Sequence, residues 1–252
     1  MNKNSKKIAL TILVIILVAG LGFLAVNNLF PGKLKAVTQV GTTPESTPVA
    51  ADESPKTLQD GATNVLKLTA NDIVIGDKNA PITFIEYASL SCPHCAVFYS
   101  DGFPKLKAEY IDTGKIKFIY RDFPLNQPAL AAGMLALCHV SDVNRDAEKY
   151  YNFIKVLFKT QESWAFVSDF SNKLQTIAKL DGMSDGKFES CMKNKHLQDR
   201  ILQSRLQAGQ ILQISSTPTF FVNEEMISGY GGYSDIKNVI EKKLNASTTA
   251  TK

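Results

Sequence analysis

The dithiol motif Cys92-Pro93-His94-Cys95 constrains the fold of this chain more than any other feature. The apolar run over residues 82–87 predicts a buried strand, and a helix is predicted after the first cysteine. Because proline favours the first position of a helix, Pro93 marks the point where strand gives way to helix. Cys92 is therefore expected at a helix N-terminus, where free backbone N–H groups and the helix dipole stabilise a thiolate over a thiol.

The two cysteines of the motif predict different roles. A stabilised thiolate is a good leaving group, so a disulfide through Cys92 is readily passed to another thiol. Cys95 lies about one helical turn later and is expected to point inward, which suits the resolution of a mixed disulfide. His94 adds a hydrogen-bond donor beside the first cysteine and, when protonated, a positive charge.

Two other interpretations of the motif are unrelated cysteines at chance spacing and half of a zinc site. A structural zinc site needs a second C-x-x-C or a spaced pair of histidines. The chain has no second C-x-x-C, and His139 and His196 lie far apart in the sequence. No metal site is predicted.

Two further elements are candidates for the same site. Glu86 shares a strand face with Ile82 and Phe84 by the period of two, so a buried carboxyl with a raised pKa is expected, suited to proton exchange with the inner thiol. Exposure on an edge strand is the alternative. Thr217-Pro218 precedes a later strand, where a cis bond would turn the backbone toward the dithiol and let it pair with an extended substrate. An ordinary trans proline is the alternative there.

The N-terminal residues 1–36 predict export. Three lysines precede an apolar run over residues 8–26, about 19 residues, which is long enough to cross a bilayer. Because the apolar part of a signal peptide is usually shorter and no clear cleavage site follows, an uncleaved anchor is favoured over a signal peptide. The lysines then stay cytoplasmic, and the remainder enters the periplasm, either tethered or soluble after cleavage. Cysteines in such an oxidising compartment can persist as disulfides.

Composition predicts the division of the remaining chain. Residues 37–63, rich in Thr, Ser, Pro and Ala, read as a flexible linker, and residues 246–252 as a disordered tail. Residues 64–126 carry a β-α-β pattern and residues 215–245 a β-β-α pattern, separated by a helical insert at 127–214. This order predicts an α/β fold with a mixed sheet, helices on both faces and a separate helical cap.

Several element ends are also predicted. Residues 66–68 and 73–75 are candidate edge strands, and the helix after the dithiol is expected to bend at Pro104. Ser234 is a plausible N-cap of the last helix.

The formal net charge of +4 is too small and too dispersed to predict nucleic-acid binding.

A second pair of cysteines, Cys138 and Cys191, lies in the helical insert. Export favours a structural disulfide between them, which would join the first insert helix to the fourth. Two buried free thiols are the alternative, because cysteine packs well as a small hydrophobic side chain. Neither residue belongs to a C-x-x-C, so a second catalytic pair is not expected.

Taken together, these residues resemble the DsbA family of thiol:disulfide oxidoreductases. The resemblance runs from about residue 72 to residue 244 and is carried by residues 86–95, the helical insert and residues 217–222. It implies a thioredoxin-like fold with a helical domain inserted between its β-α-β and β-β-α halves.

The same resemblance implies the role of each site residue. Cys92 is the nucleophile that forms mixed disulfides, Cys95 resolves them, Glu86 is the buried acid and Pro218 is the cis-proline. No cofactor is implied beyond the redox-active Cys92–Cys95 disulfide. Reduced, unfolded secreted proteins are the implied substrates, and a quinone-linked membrane oxidase is the implied reoxidant.

These residues determine the direction of disulfide exchange less narrowly than the fold. Pro93 and His94 between the cysteines favour donation of the disulfide, whereas Thr217 resembles the residue found in disulfide isomerases and in some other DsbA-like branches. A reductase or isomerase on the same fold is the first alternative. A non-catalytic thioredoxin-like binding module is the second, although such a module has no need of both cysteines.

Overall fold

The computed structural model describes residues 61–140 and 146–249. The predicted anchor at residues 8–26 and most of the predicted linker lie outside the described residues. Among the residues that are described, no helix is both long enough and apolar enough to cross a membrane.

A five-stranded mixed sheet with the strand order β1-β3-β2-β4-β5 forms the centre of the fold. β2 and β3 run parallel, whereas the three other strand pairs are antiparallel. Nearly every position of β2 and β3 is buried, as is usual for parallel strands covered on both faces. The strands are β1 Val74–Ile75, β2 Ile82–Ala88, β3 Ile116–Asp122, β4 Thr219–Val222 and β5 Glu225–Ser228.

Helices flank this sheet, and six of those in the described part of the chain lie between β3 and β4. We number them in chain order. They are α1 (residues 61–66), α2 (residues 93–111), α3 Gln127–His139, α4 Ala147–Lys159, α5 Gln161–Trp164, α6 Phe170–Leu180, α7 Asp185–Met192, α8 Lys195–Ile211 and α9 Tyr233–Thr249.

The long helix α2 is continuous but changes its winding. Pro93–Val97 and Phe103–Leu106 are α-helical, whereas Phe98–Gly102 and Lys107–Ile111 are π-helical. Pro104 has no N–H to donate to the carbonyl four residues earlier, and the wider turn just before it accommodates that loss. The helix thus continues through Pro104 with a change in helical winding.

The period of two along the strands separates two apolar clusters, one on each face of the sheet. Phe84 and Phe118 belong to the larger cluster, which includes residues of α2, whereas Ile85 and Ile119 belong to the smaller one, which includes residues of α8. Burial of each large apolar side chain contributes roughly 1.5–3 kcal/mol before entropy is counted. Glu86 follows Phe84 by two residues and therefore points into the larger cluster.

The α/β class with a mixed sheet, and the order of a β-α-β part, a helical insert and a β-β-α part, are confirmed. The strand predicted at residues 66–68 is wrong, because α1 occupies residues 61–66 and begins inside the predicted linker. The reason is a distant contact: the Arg121 guanidinium donates to the carbonyls of Val65 and Lys67 at 2.7 and 2.9 Å. These bonds cap the end of α1, and Asp72 pairs with the same guanidinium at 2.9 Å.

Two predictions about the C-terminal helix are also wrong. α9 begins at Tyr233, so Ser234 lies inside it rather than at its N-cap. Gly232, with a φ of +143°, makes the turn that starts the helix. The helix then continues to Thr249, through the first part of the predicted tail. Helix propagation adds one backbone hydrogen bond for each residue and needs no apolar side chain there.

Candidate active site

The dithiol lies where β2 gives way to α2. Cys92 is the N-cap of α2 with an extended backbone, and Pro93 is the first helical residue. Both cysteines carry free thiols. Cys92 is 5% exposed and Cys95 is fully buried, as their positions in the sequence predict. The outer sulfur is therefore the one that an incoming thiol can reach.

Hydrogen bonds around Cys92 favour its thiolate. In the thiol form, Cys92 Sγ donates to the Thr217 carbonyl oxygen at 3.2 Å. The pKa of Cys92 is lowered to about 5, first because the Cys95 thiol donates to the sulfur. Burial opposes this shift, while the nearby Thr217 side chain and the backbone N–H groups of Cys95 and His94 support it. The exposed side chain of His94 is not among the causes, although its charge was expected to contribute.

The inner part of the site has the opposite character. Burial raises the pKa of Cys95 well above the usual range, and the hydrogen bond shared with Cys92 and the charge of Glu86 raise it further. Glu86 is fully buried, and its pKa is raised well above the usual range by burial. The β-ladder places it between Tyr120 of β3 and Phe220 of β4. The dithiol thus pairs an acidic outer thiol with an inner thiol and a carboxyl whose pKa values are both raised by burial.

The segment before β4 completes the set of predicted residues. The Thr217–Pro218 peptide bond is cis, and Thr217 is 9% exposed. The structure brings this segment, Cys92, Cys95 and Glu86 together from three parts of the sequence. The two alternative predictions, an exposed Glu86 and a trans bond before Pro218, are therefore wrong.

Sequence reasoning missed Gln161, the first residue of α5. Its buried side-chain amide donates to the carbonyl oxygens of Leu90 and Cys92 at 2.7 and 3.1 Å. The helical insert therefore holds the backbone of the loop that carries the outer cysteine. α5 has only four residues and no apolar period, so no signal in the single sequence marks this glutamine.

Cys138 and Cys191 form a disulfide with a Cα–Cα distance of 5.6 Å. It joins α3 to α7 within the helical insert, so the expected structural pair is present. α7 is the fifth insert helix rather than the predicted fourth, because the four-residue α5 precedes it. Its two sulfurs are bonded to each other, so this pair is separate from the free dithiol.

The described residues also bear on the zinc interpretation. Within residues 61–140 and 146–249, no three His, Cys, Asp or Glu side chains are grouped as metal ligands would be. His139 instead contacts Asp181 at 2.6 Å, and His196 is exposed on α8.

The acidity of Cys92 predicts an unusual pH profile for its alkylation. In the reduced protein, the rate of reaction with iodoacetamide is expected to rise through about pH 5 and then level off, because the thiolate is the nucleophile. An ordinary thiol would continue to gain reactivity up to roughly pH 8.5. Quenched mass spectrometry measures the rate at this site. In Cys95→Ala the midpoint is expected to move upward, since the first cause of the shift is removed, and an ordinary profile in the unchanged protein would contradict the prediction.

Comparison with known proteins shows that this chain is similar to thioredoxin-like proteins. The family model described as Thioredoxin matches residues 68–242. The crystal structure of alpha-DsbA1 from Wolbachia pipientis is 35% identical with a TM-score of 0.69, covering 76% of this chain and 100% of that chain. Oxidised BdbD from Bacillus subtilis is 25% identical with a TM-score of 0.62, covering 69% and 94%.

Curated relatives extend the comparison. Disulfide bond formation protein D of Bacillus subtilis is 28% identical over 179 residues, 68% of this chain and 76% of that protein. A Rickettsia typhi protein with the provisional name protein-disulfide oxidoreductase is 29% identical over 182 residues, 72% of this chain. The match spans 65% of the length of that rickettsial relative.

Proposed function

This chain belongs to the DsbA-like branch of the thioredoxin family, and from that premise we propose that it is an exported thiol:disulfide oxidoreductase. In this proposal the Cys92–Cys95 disulfide is donated to reduced thiols through a mixed disulfide. The observation that carries the proposal is the placement of the Cys92 sulfur at the N-terminus of α2 beside the fully buried Cys95 thiol, a setting that lowers the pKa of Cys92 to about 5.

The exchange proceeds in two steps. A substrate thiolate attacks Sγ of Cys92 in the oxidised protein, the Cys92–Cys95 bond breaks, and a mixed disulfide forms while Cys95 leaves as a thiolate. A second substrate thiolate then attacks the substrate sulfur of the mixed disulfide, so that the substrate disulfide forms and Cys92 leaves. Two electrons pass from the substrate to the dithiol. The low pKa of Cys92 makes it the better leaving group in the second step.

Buried Glu86 supplies the proton that the first step requires. The Cys95 thiolate leaves into an environment that disfavours its charge, so it takes a proton. The charge of Glu86 influences the pKa of Cys95, and the pKa of Glu86 is itself raised well above its usual range. In this proposal the Glu86 carboxylic acid therefore gives that proton and recovers it on reoxidation. The Thr217 carbonyl contacts Cys92, and in this proposal Thr217 and Pro218 supply backbone for pairing with an extended substrate.

The acidity of Cys92 also favours the oxidising direction. Its pKa in the folded, reduced protein lies below that of an ordinary thiol, so the reduced state gains stability above about pH 5. This gain is complete above roughly pH 8.5, where an unfolded thiol also ionises, and it is lost as the pH falls through about 5. The disulfide has no such charge to stabilise, so donation of the disulfide is favoured at neutral pH.

Equilibration with glutathione at pH 7 tests the proposal. The Cys92–Cys95 couple is expected to lie at least about 100 mV above a thioredoxin-type couple of about −270 mV. The fraction of reduced dithiol is read by trapping with an alkylating reagent at a series of glutathione ratios. A value near −270 mV would favour the reductase alternative, and no exchange at all would favour the binding module.

The proposal includes a location and partners. The apolar run at residues 8–26 and its basic flank support export to the periplasm, tethered to the inner membrane or soluble after cleavage. Folding secreted or periplasmic proteins are the proposed substrates, and a quinone-linked membrane oxidase is the proposed reoxidant. Membrane contact of the chain itself is limited in this proposal to the N-terminal segment.

A further inference from the structure

Two buried residues near the dithiol hold polar atoms without conventional hydrogen bonds. Five buried side-chain atoms in the described residues have no partner of standard hydrogen-bond geometry, and three of them are Oε1 and Oε2 of Glu86 and Oη of Tyr99. The other two belong to Thr217 and Tyr233. A buried carboxylate without a donor is costly, so the grouping of these three atoms requires an explanation.

The fold brings Tyr99 to the buried acid. Tyr99 follows Cys95 by four residues in α2, which places both on the helix face that covers the sheet. Glu86 is paired with Tyr120 on the neighbouring strand, and the Tyr99 ring lies edge-on to the Tyr120 ring at 6.4 Å between centroids. Cys95, Glu86 and Tyr99 thus share one buried region between α2 and the sheet.

We propose that Tyr99 is a positioning residue for the buried acid: its hydroxyl donates to the Glu86 carboxylate and sets the pH at which Glu86 exchanges a proton with Cys95. This inference rests on the proposed thiol–disulfide exchange. It adds to that exchange a residue that no sequence motif of the site contains.

The groups that face Glu86 are acids from three elements. They are Cys92, Cys95 and Tyr99 from α2, Tyr120 from β3 and Tyr151 from α4. Burial is the largest influence on the pKa of Glu86 and raises it, and the thiolate of Cys92 raises it too. The nearby Tyr99 hydroxyl acts in the opposite direction and stabilises the carboxylate.

Tyr99 remains a donor throughout the working pH range. Burial raises the pKa of its phenol well above the usual range, and the charges of Glu86, Tyr151, Tyr150 and Cys95 raise it further. In the proton transfer, the Glu86 carboxylic acid gives its proton to the leaving Cys95 thiolate and becomes a carboxylate. Tyr99 keeps its own proton and shares it with the new charge through the hydrogen bond.

Tyr99→Phe removes this donor and leaves the ring. The ring stacks on Phe158 and Phe103 at 4.3 and 4.9 Å between centroids, contacts that phenylalanine retains. The midpoint of the Glu86 titration is expected to rise by about one pH unit, the size of one hydrogen bond to a charged group. Infrared or carbon-13 NMR titration of the carboxyl in the reduced full chain measures the midpoint. The pH profile of disulfide reduction by glutathione is expected to shift in parallel.

Tyr150→Phe is the matched control. Tyr150 is as deeply buried and contacts the same Tyr120 ring, at 6.5 Å, but it is not among the groups that shift Glu86. This control variant is expected to keep the wild-type midpoint. In Glu86→Gln, which removes the titrating group, a further change of Tyr99 to Phe is expected to leave the glutathione profile unmoved.

An unchanged midpoint in Tyr99→Phe would overturn the inference. Should that variant fold poorly, a fluorinated tyrosine at position 99 keeps both ring and hydroxyl, and its more acidic phenol is expected to lower the midpoint. No movement there would overturn the inference as well. Absence of exchange between the wild-type dithiol and glutathione would instead refute the proposed function, so the two failures are distinguishable.

Discussion

Replacing Cys92 by Ser is expected to abolish the oxidation of a reduced peptide, leaving only the rate of the uncatalysed reaction. A serine hydroxyl cannot form the disulfide that an incoming thiolate attacks, and Cys95 alone is fully buried. The loss is measured by following disulfide formation in a peptide with two thiols, with glutathione disulfide as the terminal oxidant. Residual oxidation at the wild-type rate would show that the assignment is wrong.

Two further variants interpret this result. Cys95→Ala retains the acidic outer thiol but has no inner thiol to displace a glutathione bound to Cys92, so mixed disulfides of Cys92 with glutathione are expected to accumulate and to be visible by mass spectrometry. The double variant in which Cys138 and Cys191 are both Ala removes two sulfurs from a different part of the fold. It is expected to retain oxidation at temperatures where it is folded, which separates the loss of the dithiol from the loss of any cysteine pair.

Removal of the Cys138–Cys191 disulfide has the second large expected effect, on stability. The bridge joins residues 53 apart in the sequence, and closing a loop of that length restricts the unfolded chain by about 4 kcal/mol. The double Ala variant is therefore expected to lose about 4 kcal/mol in the free energy of unfolding. Urea denaturation monitored by circular dichroism measures the loss.

The Cys92–Cys95 pair is the control for this stability experiment. Two residues separate Cys92 from Cys95, so the loop that this pair closes is too short to restrict the unfolded chain to the same degree. Wild type and the double variant should be compared with the dithiol in one redox state, since a stabilised Cys92 thiolate itself favours the reduced fold. A loss below about 1 kcal/mol would contradict the loop-closure argument.

Local patterns predicted much of this molecule. The strand–helix junction at the dithiol follows from an apolar run, a C-x-x-C and Pro93, all within a few residues of one another. Burial of Glu86 follows from the period of two in β2. The helical insert was predicted as a block, because helices such as α4 carry an apolar period and a capping residue, Asp146.

The features that sequence reasoning missed depend on residues distant in the chain. The region of α1 was predicted as linker and strand. The carbonyls at the end of this helix are capped by Arg121, which lies more than 50 residues away in the sequence, so nearby residues do not reveal the helix. Gln161 holds the carbonyl of Cys92 from 69 residues away. Neither contact leaves a pattern in the residues around it, so no reading of nearby sequence can find it.

The sequence by itself determined the chemistry: the acidic outer thiol, the resolving thiol, the buried acid and the class of fold that positions them. These depend on backbone periods, helix termini and residue types, which act over a few residues. Only the tertiary structure decided which groups set the proton affinities of the site. The neighbours of Glu86 come from α2, β3, α4 and β4. Desolvation and hydrogen bonding depend on that three-dimensional packing, so Tyr99 became part of the site only when the chain folded.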